Sequence, residues 1–442
     1  MKKYILIILC CLTSFPLWSY NVNMIVEHYS VDQGLPNNTV NCTLKDRDGF
    51  IWFGTWYGLC CFDGVKFKTF NKQEHDSDVP PRKIQRIVED KNGYIWVKTI
   101  DRKLYVFNKV TECFHAVYDD MKNYSENIQV IKLQNTAEGD VLLLTKDKNL
   151  LLAGVDEKGQ VTIKILFDSR DEINKHDYTL KHHVLCETEE YISWIGTDYK
   201  VSAVHKGAEL ASRPADFITS KINSGDKDSF TSFFEDGRKV WVGDRAGIFY
   251  SIDVRTGLVN RYVLSEIKGA ISNLLVTPAG YVYLSVAGQG TYEYDLAERR
   301  LQKINTEMND AMVTHAFIDQ YDKIWFHENE KALIYYDPLN HTAKRFPFTM
   351  FGKITTLYSE DAGERGLFFL SPAGEAWLFD REHAEMVYIN KLKQLSNDRA
   401  NQQFYHLMLD NDGVLWLSSA DEGVYCCLLY TSPNPRDRTR SR

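Results

Sequence analysis

The sequence predicts an all-β protein, a β-propeller of four-stranded blades, and three observations carry that prediction. One short motif recurs along nearly the whole chain, its spacing suits one blade, and the composition favours pleated strands. The motif is clearest at Asp46-Arg47-Asp48-Gly49-Phe50-Ile51-Trp52-Phe53-Gly54-Thr55, followed by Gly58-Leu59 and Phe62-Asp63-Gly64. It returns from Asp90 to Val97, Glu235 to Gly243, Asp319 to Tyr336 and Asp410 to Tyr425. Weaker copies start at Gly139, Tyr191, Gly280 and Gly366. Aligned on the Trp position, the copies fall at 52, 96, 142, 194, 241, 283, 325, 368 and 416, with gaps of 42 to 52 residues. Aromatic residues make up 13% of the chain, and rings fit a half-buried pleated surface.

Each part of the motif has a structural task. Asp-x-x-Gly makes a tight turn, because Asp bonds nearby amides and Gly accepts positive φ. Ile51-Trp52-Phe53 alternates across a strand and sets a large ring between neighbouring blades. Thr55-x-x-Gly58-Leu59 makes the next hairpin, and Val65 to Phe70 supplies an outer strand. A blade cannot bury both faces alone, so blades must stack around an axis. Neither helical heptads nor a βαβ rhythm occurs. Motif counting divides the chain into a seven-bladed propeller over 20–348 and two blades of a second propeller over 349–427. A single ring of eight or nine blades stays open, and either Met24 to Tyr29 or Lys344 to Phe348 can close blade seven.

The ends read differently. Lys2 and Lys3 precede an apolar run from Tyr4 to Leu12, then small Ser14 and Ser19, so residues 1–19 form a signal peptide. Residues 428–442 carry no strand period and are expected to be an artefactual tail on a truncated chain. Without Lys2, Lys3 and the tail's four Arg and one Asp, the formal charge falls from −8 to −13. An acidic surface with no long basic run before the extreme C-terminus argues against nucleic acid as a partner. Beyond Cys10 and Cys11 there are seven cysteines, an odd number without Cys-x-x-Cys spacing. They predict buried small hydrophobes rather than a disulfide framework or zinc site, and neither a cofactor nor a metal is expected.

The stretch Ser30-Val31-Asp32-Gln33-Gly34-Leu35-Pro36-Asn37-Asn38-Thr39-Val40, with Asp48-Gly49-Phe50-Ile51-Trp52-Phe53-Gly54-Thr55, resembles the two-component regulator propeller family. The resemblance covers nearly all of Val22 to Cys426, with degenerate middle copies. It implies the periplasmic sensor of a hybrid two-component system in a Bacteroides-type bacterium. Carbohydrate fragments are the implied ligands, and binding reports to a cytoplasmic histidine kinase. It further implies a homodimer anchored in the inner membrane by a later segment. The chain stops after nine motifs, so the sandwich, membrane helix and kinase parts of such sensors are expected to be missing here.

Propeller strand order gathers the hairpins between second and third strands, and the blade-linking loops, at one end of the axis. Loops on a rigid scaffold are the better place for recognition. Those loops nominate Asn37, Asn38, Trp56, Tyr57, Asp101, Arg102, Asp198, Tyr199, Asp244, Arg245, Gln289, Glu328 and Asn329. Aromatic faces with amide, carboxylate and guanidinium groups suit a sugar, through stacking and paired hydrogen bonds. Trp52, Trp96, Trp241, Trp325 and Trp416 are read instead as blade packing. Two alternatives stand beside the sensor. One is a carbohydrate hydrolase or lyase using paired carboxylates such as Asp198 and Asp244; the other is a passive scaffold for protein partners. No Gly-x-Ser-x-Gly, His-Glu-x-x-His or phosphate loop is present, and adjacent His182 and His183 suit a loop better than a metal.

Overall fold

A computed structural model describes residues 21–70, 81–122, 129–147, 149–167, 185–188, 190–195, 200–207, 217–221, 230–304, 313–328, 331–351, 358–361, 363, 366–371, 374–391, 404–410 and 412–432. The strands form nine four-stranded antiparallel sheets. Eight are simple meanders; the first uses Val40–Lys45, Ile51–Thr55, Gly58–Phe62 and Phe67–Phe70 in that order. First strands touch between blades one and two, two and three, five and six, six and seven, eight and nine, and nine and one, which places them around the axis.

The ninth sheet explains how the ring closes. Phe404–Leu409, Val414–Ser419 and Val424–Ser432 supply three strands, and Asn21–Tyr29 from the chain's start pairs with Val424–Ser432 as the fourth. His28 faces Tyr425 in this register and Ile25 faces Leu428. Nine apolar clusters, one at each blade junction, complete the account. An open stack of nine sheets would have eight junctions. The additional cluster joins Trp416 and Val424 of blade nine to Val40, Phe53 and Phe62 of blade one.

This closure differs from the seven-plus-two division. Asn21–Tyr29 closes blade nine, while Thr342–Pro347 is the outer strand of blade seven, so the two segments do not compete. Residues 428–432, expected to lie outside the fold, continue the last strand and pair with Asn21 to Ile25. Their backbone amides and carbonyls find partners whatever the side-chain period, which is why pattern reading passed over them. The rest of the expected tail, 433–442, and the expected signal peptide lie outside the described residues.

The Trp positions behave as packing residues. Trp52, Trp96, Trp241 and Trp325 each lie in the cluster shared with the following blade, and Trp416 lies in the cluster shared with blade one. Blade four departs from the alignment. There Glu187 pairs with Ile192 and Cys186 with Ser193, as Glu235 pairs with Val240 and Phe234 with Trp241 in blade five. Ser193, not Trp194, therefore holds the Trp register; a turn one residue shorter than in blade one moved the alignment by one position.

The Asp-x-x-Gly turns gain a bond that composition alone did not show. One carboxylate oxygen of Asp90 accepts the amides of Asn92 and Tyr94, and the other accepts Nε1 of Trp96 at 2.9 Å. Asp46–Trp52, Asp236–Trp241, Asp319–Trp325 and Asp410–Trp416 repeat the pair at 2.8, 2.7, 3.3 and 3.0 Å. Gly49 and Gly93 take the left-handed conformation this turn requires, at φ 91° and 87°. Gly54 answers a different need: a Cβ there would lie 2.4 Å from Sγ of Cys42 and 2.5 Å from Cγ2 of Ile84.

Seven blades share a bulge near the start of the first strand, as between Val40 and Cys42 or Ile84 and Arg86. The bulged residue can reach the next blade. Asn41 donates to the Ile84 carbonyl at 2.6 Å, and Thr231 donates to the Ile271 carbonyl at 2.7 Å.

Candidate functional site

Backbone hydrogen bonds join the hairpins and blade-linking residues into one upper rim. Gly423 donates to Asn38, Trp56 to Thr39, Lys83 to Trp56, Ile100 to Lys83 and Val130 to Arg102. Asn37, Asn38, Trp56, Tyr57, Asp101 and Arg102 thus stand on one arc across blades one and two. Asp244, Arg245 and Gln289 belong to blades five and six, and Glu328 to blade seven. Asp198, Tyr199 and Asn329 lie outside the described residues.

The nominated side chains fall into two groups. Several shape their own loops. Asn37 accepts the Thr39 amide and Asn38 the Val31 amide, each through its side-chain oxygen. Asp244 is buried and caps its hairpin by accepting the amides of Ala246 and Ile248. Burial raises its pKa, against those amides, which favour the charged form. Gln289 braces the neighbouring loop through the Lys268 amide and the Glu266 carbonyl. Glu328, also buried, takes Nη2 of Arg345 at 2.9 Å and Nε at 3.2 Å.

The second group faces solvent. Trp56 is 41% exposed and Tyr57 65% exposed, and Nζ of Lys83 stands 5.2 Å from the Trp56 ring centre. Arg245 is exposed. Asp101 and Arg102 border a cavity of about 390 Å³ with Tyr105, Val117, Tyr118 and Met121. Leu104, Val117 and Met121 give it an apolar floor, Tyr118 offers an exposed ring, and the charged pair stands at its edge. Such a cavity can stack a ring-shaped polar ligand and hold its hydroxyls. Sequence reading missed Lys83, Tyr118 and Met121. The signal for the last two was present, because the link between Ala116 and Val130 is longer than a tight turn needs.

The opposite end is chemically closed. Asp46, Asp48 and Glu89 are close enough to share a metal ion. Instead, Nζ of Lys109 lies 3.0, 2.7 and 2.8 Å from the three carboxylates. Burial opposes the charge on Lys109, but the carboxylates outweigh it and raise the pKa. Six cysteines have described side chains. Cys42, Cys60, Cys61, Cys113 and Cys427 are buried and Cys426 partly so, all six free, and burial pushes the Cys42 thiol up to about 12.

Fold and rim together define a β-propeller with hairpins and blade-linking loops gathered at one end. The family described as two component regulator propeller matches residues 34–57, the segment that carried the resemblance in sequence. Among solved structures, this chain is similar to the extracellular domain described as that of a hybrid two component system of B. thetaiotaomicron. Identity is 14%, over 92% of this chain and 70% of that one, with a TM-score of 0.38. A domain described as that of a one component system from the same organism gives 14%, 89%, 65% and 0.33. This chain therefore spans 65% of that domain's length. Virginiamycin B lyase from Staphylococcus aureus gives 12% identity over 67% of this chain and 94% of the other, at 0.41. No curated protein matches.

Proposed function

We propose that this chain is the ligand-recognising propeller region of an exported sensor, and that an oligosaccharide binds on the upper rim of blades one and two. The observation carrying this reading is the cavity bordered by Asp101, Arg102 and Tyr118, on the same arc as exposed Trp56 and Tyr57. The match to the two component regulator propeller family supports a sensor. In this reading the protein acts outside the cytoplasmic membrane, pairs as a homodimer within a longer sensor, and passes the signal to a histidine kinase. Among the described residues no helix is long and apolar enough to cross a membrane.

A thermal-shift screen of the chain against plant, host and microbial oligosaccharides tests the proposal, with products followed by chromatography. A saturable rise in Tm with intact sugar, lost in Tyr118→Ala, supports it, because a ligand bound only by the native state stabilises by mass action. Cleaved sugar replaces it with an enzyme. Silence across the panel replaces it with a protein-binding scaffold.

A further inference from the structure

Two imidazoles face each other on blade seven, outside the rim arc of blades one and two. In its first two strands, Val313–Ile318 and Ile324–Glu328, His315 stands directly across from His327, and Phe317 from Trp325. Partners across an antiparallel pair share one face, with Cβ atoms about 4.5–5.5 Å apart. Trp325 packs towards blade eight, so the two histidines lie on that side of the sheet. Aromatic neighbours brace both rings: between ring centres, Phe348 lies 5.0 Å from His327 and Phe317 lies 6.2 Å from His315. His315 is exposed and makes no hydrogen bond or ion pair among the described residues.

Thr314 decides which nitrogen of His327 is free. It is the extra residue of the bulge between Val313 and His315, which brings its hydroxyl beside His327. Oγ1 lies 3.3 Å from the His327 carbonyl oxygen and 2.8 Å from Nδ1. A hydroxyl has one hydrogen, so both contacts are hydrogen bonds only if it donates to the carbonyl and accepts Nδ1–H. Nε2 then keeps its lone pair, and among the described residues it is neither bonded nor buried. Burial, and then the nearby His315, lower the pKa of His327, so the ring is neutral at neutral pH, the form a metal takes.

We propose that His315 and His327 together bind one divalent cation of the zinc, copper and nickel class, with water completing its coordination and Thr314 as a positioning residue. Imidazole suits these ions rather than Mg²⁺ or Ca²⁺. A histidine whose second nitrogen is held by an oxygen is already turned towards its metal. The site is independent of the sugar-binding rim.

Competition between the chain and a chromophoric chelator of micromolar affinity, for Zn²⁺ and then for Cu²⁺, tests the site. The chain should take up both ions, Cu²⁺ more tightly, and Mg²⁺ should not displace them. His315→Asn should weaken the tightest site about a hundredfold and Thr314→Val about tenfold, with Thr314→Ser restoring it. His383→Asn, at another exposed histidine, should change nothing. Unchanged affinity in His315→Asn, an equal loss in His383→Asn, or no Zn²⁺ taken from the chelator overturns the proposal. His315 is exposed and unpaired among the described residues, so its variant should fold; an unchanged urea midpoint verifies that.

Discussion

The two ends of the ring use the same residue types to opposite effect, and two lysines make the contrast plain. At the lower end Lys109 reaches three carboxylates, and each Asp of the repeated turn is bound to amides and to an indole. Nearer the upper end Lys98 meets no carboxylate among the described residues, while Trp56, Tyr57 and Arg102 project into solvent. The lower end has used its polar groups to fix blade geometry; the upper end has kept several available. A repeat protein can hold structure and recognition apart in this way, because strand order sends each loop type to one end.

That contrast can be broken, and the largest effect belongs to the lower end. Asp90→Ala removes the acceptor of the Asn92, Tyr94 and Val155 amides and of the Trp96 indole. It should cost about 3 kcal/mol in urea unfolding, because buried donors lose their partner. Asp236→Ala, at an exposed turn, should cost about half as much, in line with its more accessible surroundings. Glu328→Gln asks whether an upper-rim residue with lower-rim commitments behaves accordingly. Its buried carboxylate holds Arg345, so a loss of about 2 kcal/mol is expected by the same measurement.

Tyr283→Phe sharpens the comparison among lower-end turns. Blade six has Thr277 and Tyr283 where others have Asp and Trp, and the phenol finds buried Glu293 instead, at 2.9 Å. Tyr336 also donates to Glu293, at 3.2 Å, so the loss should stay near 1 kcal/mol.

Lys98 predicts a pH dependence. Its folded pKa is pushed down to about 8 from an ordinary 10.5, by burial and then by Arg102 and Arg86. Between those values the unfolded chain holds the extra proton, so stability rises with pH across that window. The gain should be on the order of 1 kcal/mol and absent in Lys98→Gln, as read from urea midpoints at pH 8 and 10.5. The smallest effect on stability belongs to Trp56→Ala, within about 0.5 kcal/mol, since the ring is 41% exposed and touches Lys83 across a cation–π contact. That variant should instead weaken sugar binding in the thermal-shift screen.

Much of this was legible in the chain. The nine strand-turn-strand copies, their turn glycines and the packing role of the five Trp positions follow from local pattern. The rim's position followed from strand order. The commitments of individual side chains did not. Asp244 and Arg245 are neighbours of similar polarity, yet one is buried under its hairpin and the other exposed. Nothing in the motif distinguishes Thr43, whose hydroxyl is unmet, from Thr55, which donates to the Gly58 carbonyl at 2.8 Å.

The sequence by itself determined the blades, because alternation, tight-turn chemistry and ring size act within a few residues of one another. Only the tertiary structure decided how many blades share one ring, that Asn21–Tyr29 completes the ninth, and which side chains are buried between blades. Those outcomes depend on the meeting of residues some 400 positions apart, such as His28 with Tyr425, through backbone pairing that any side-chain pattern permits.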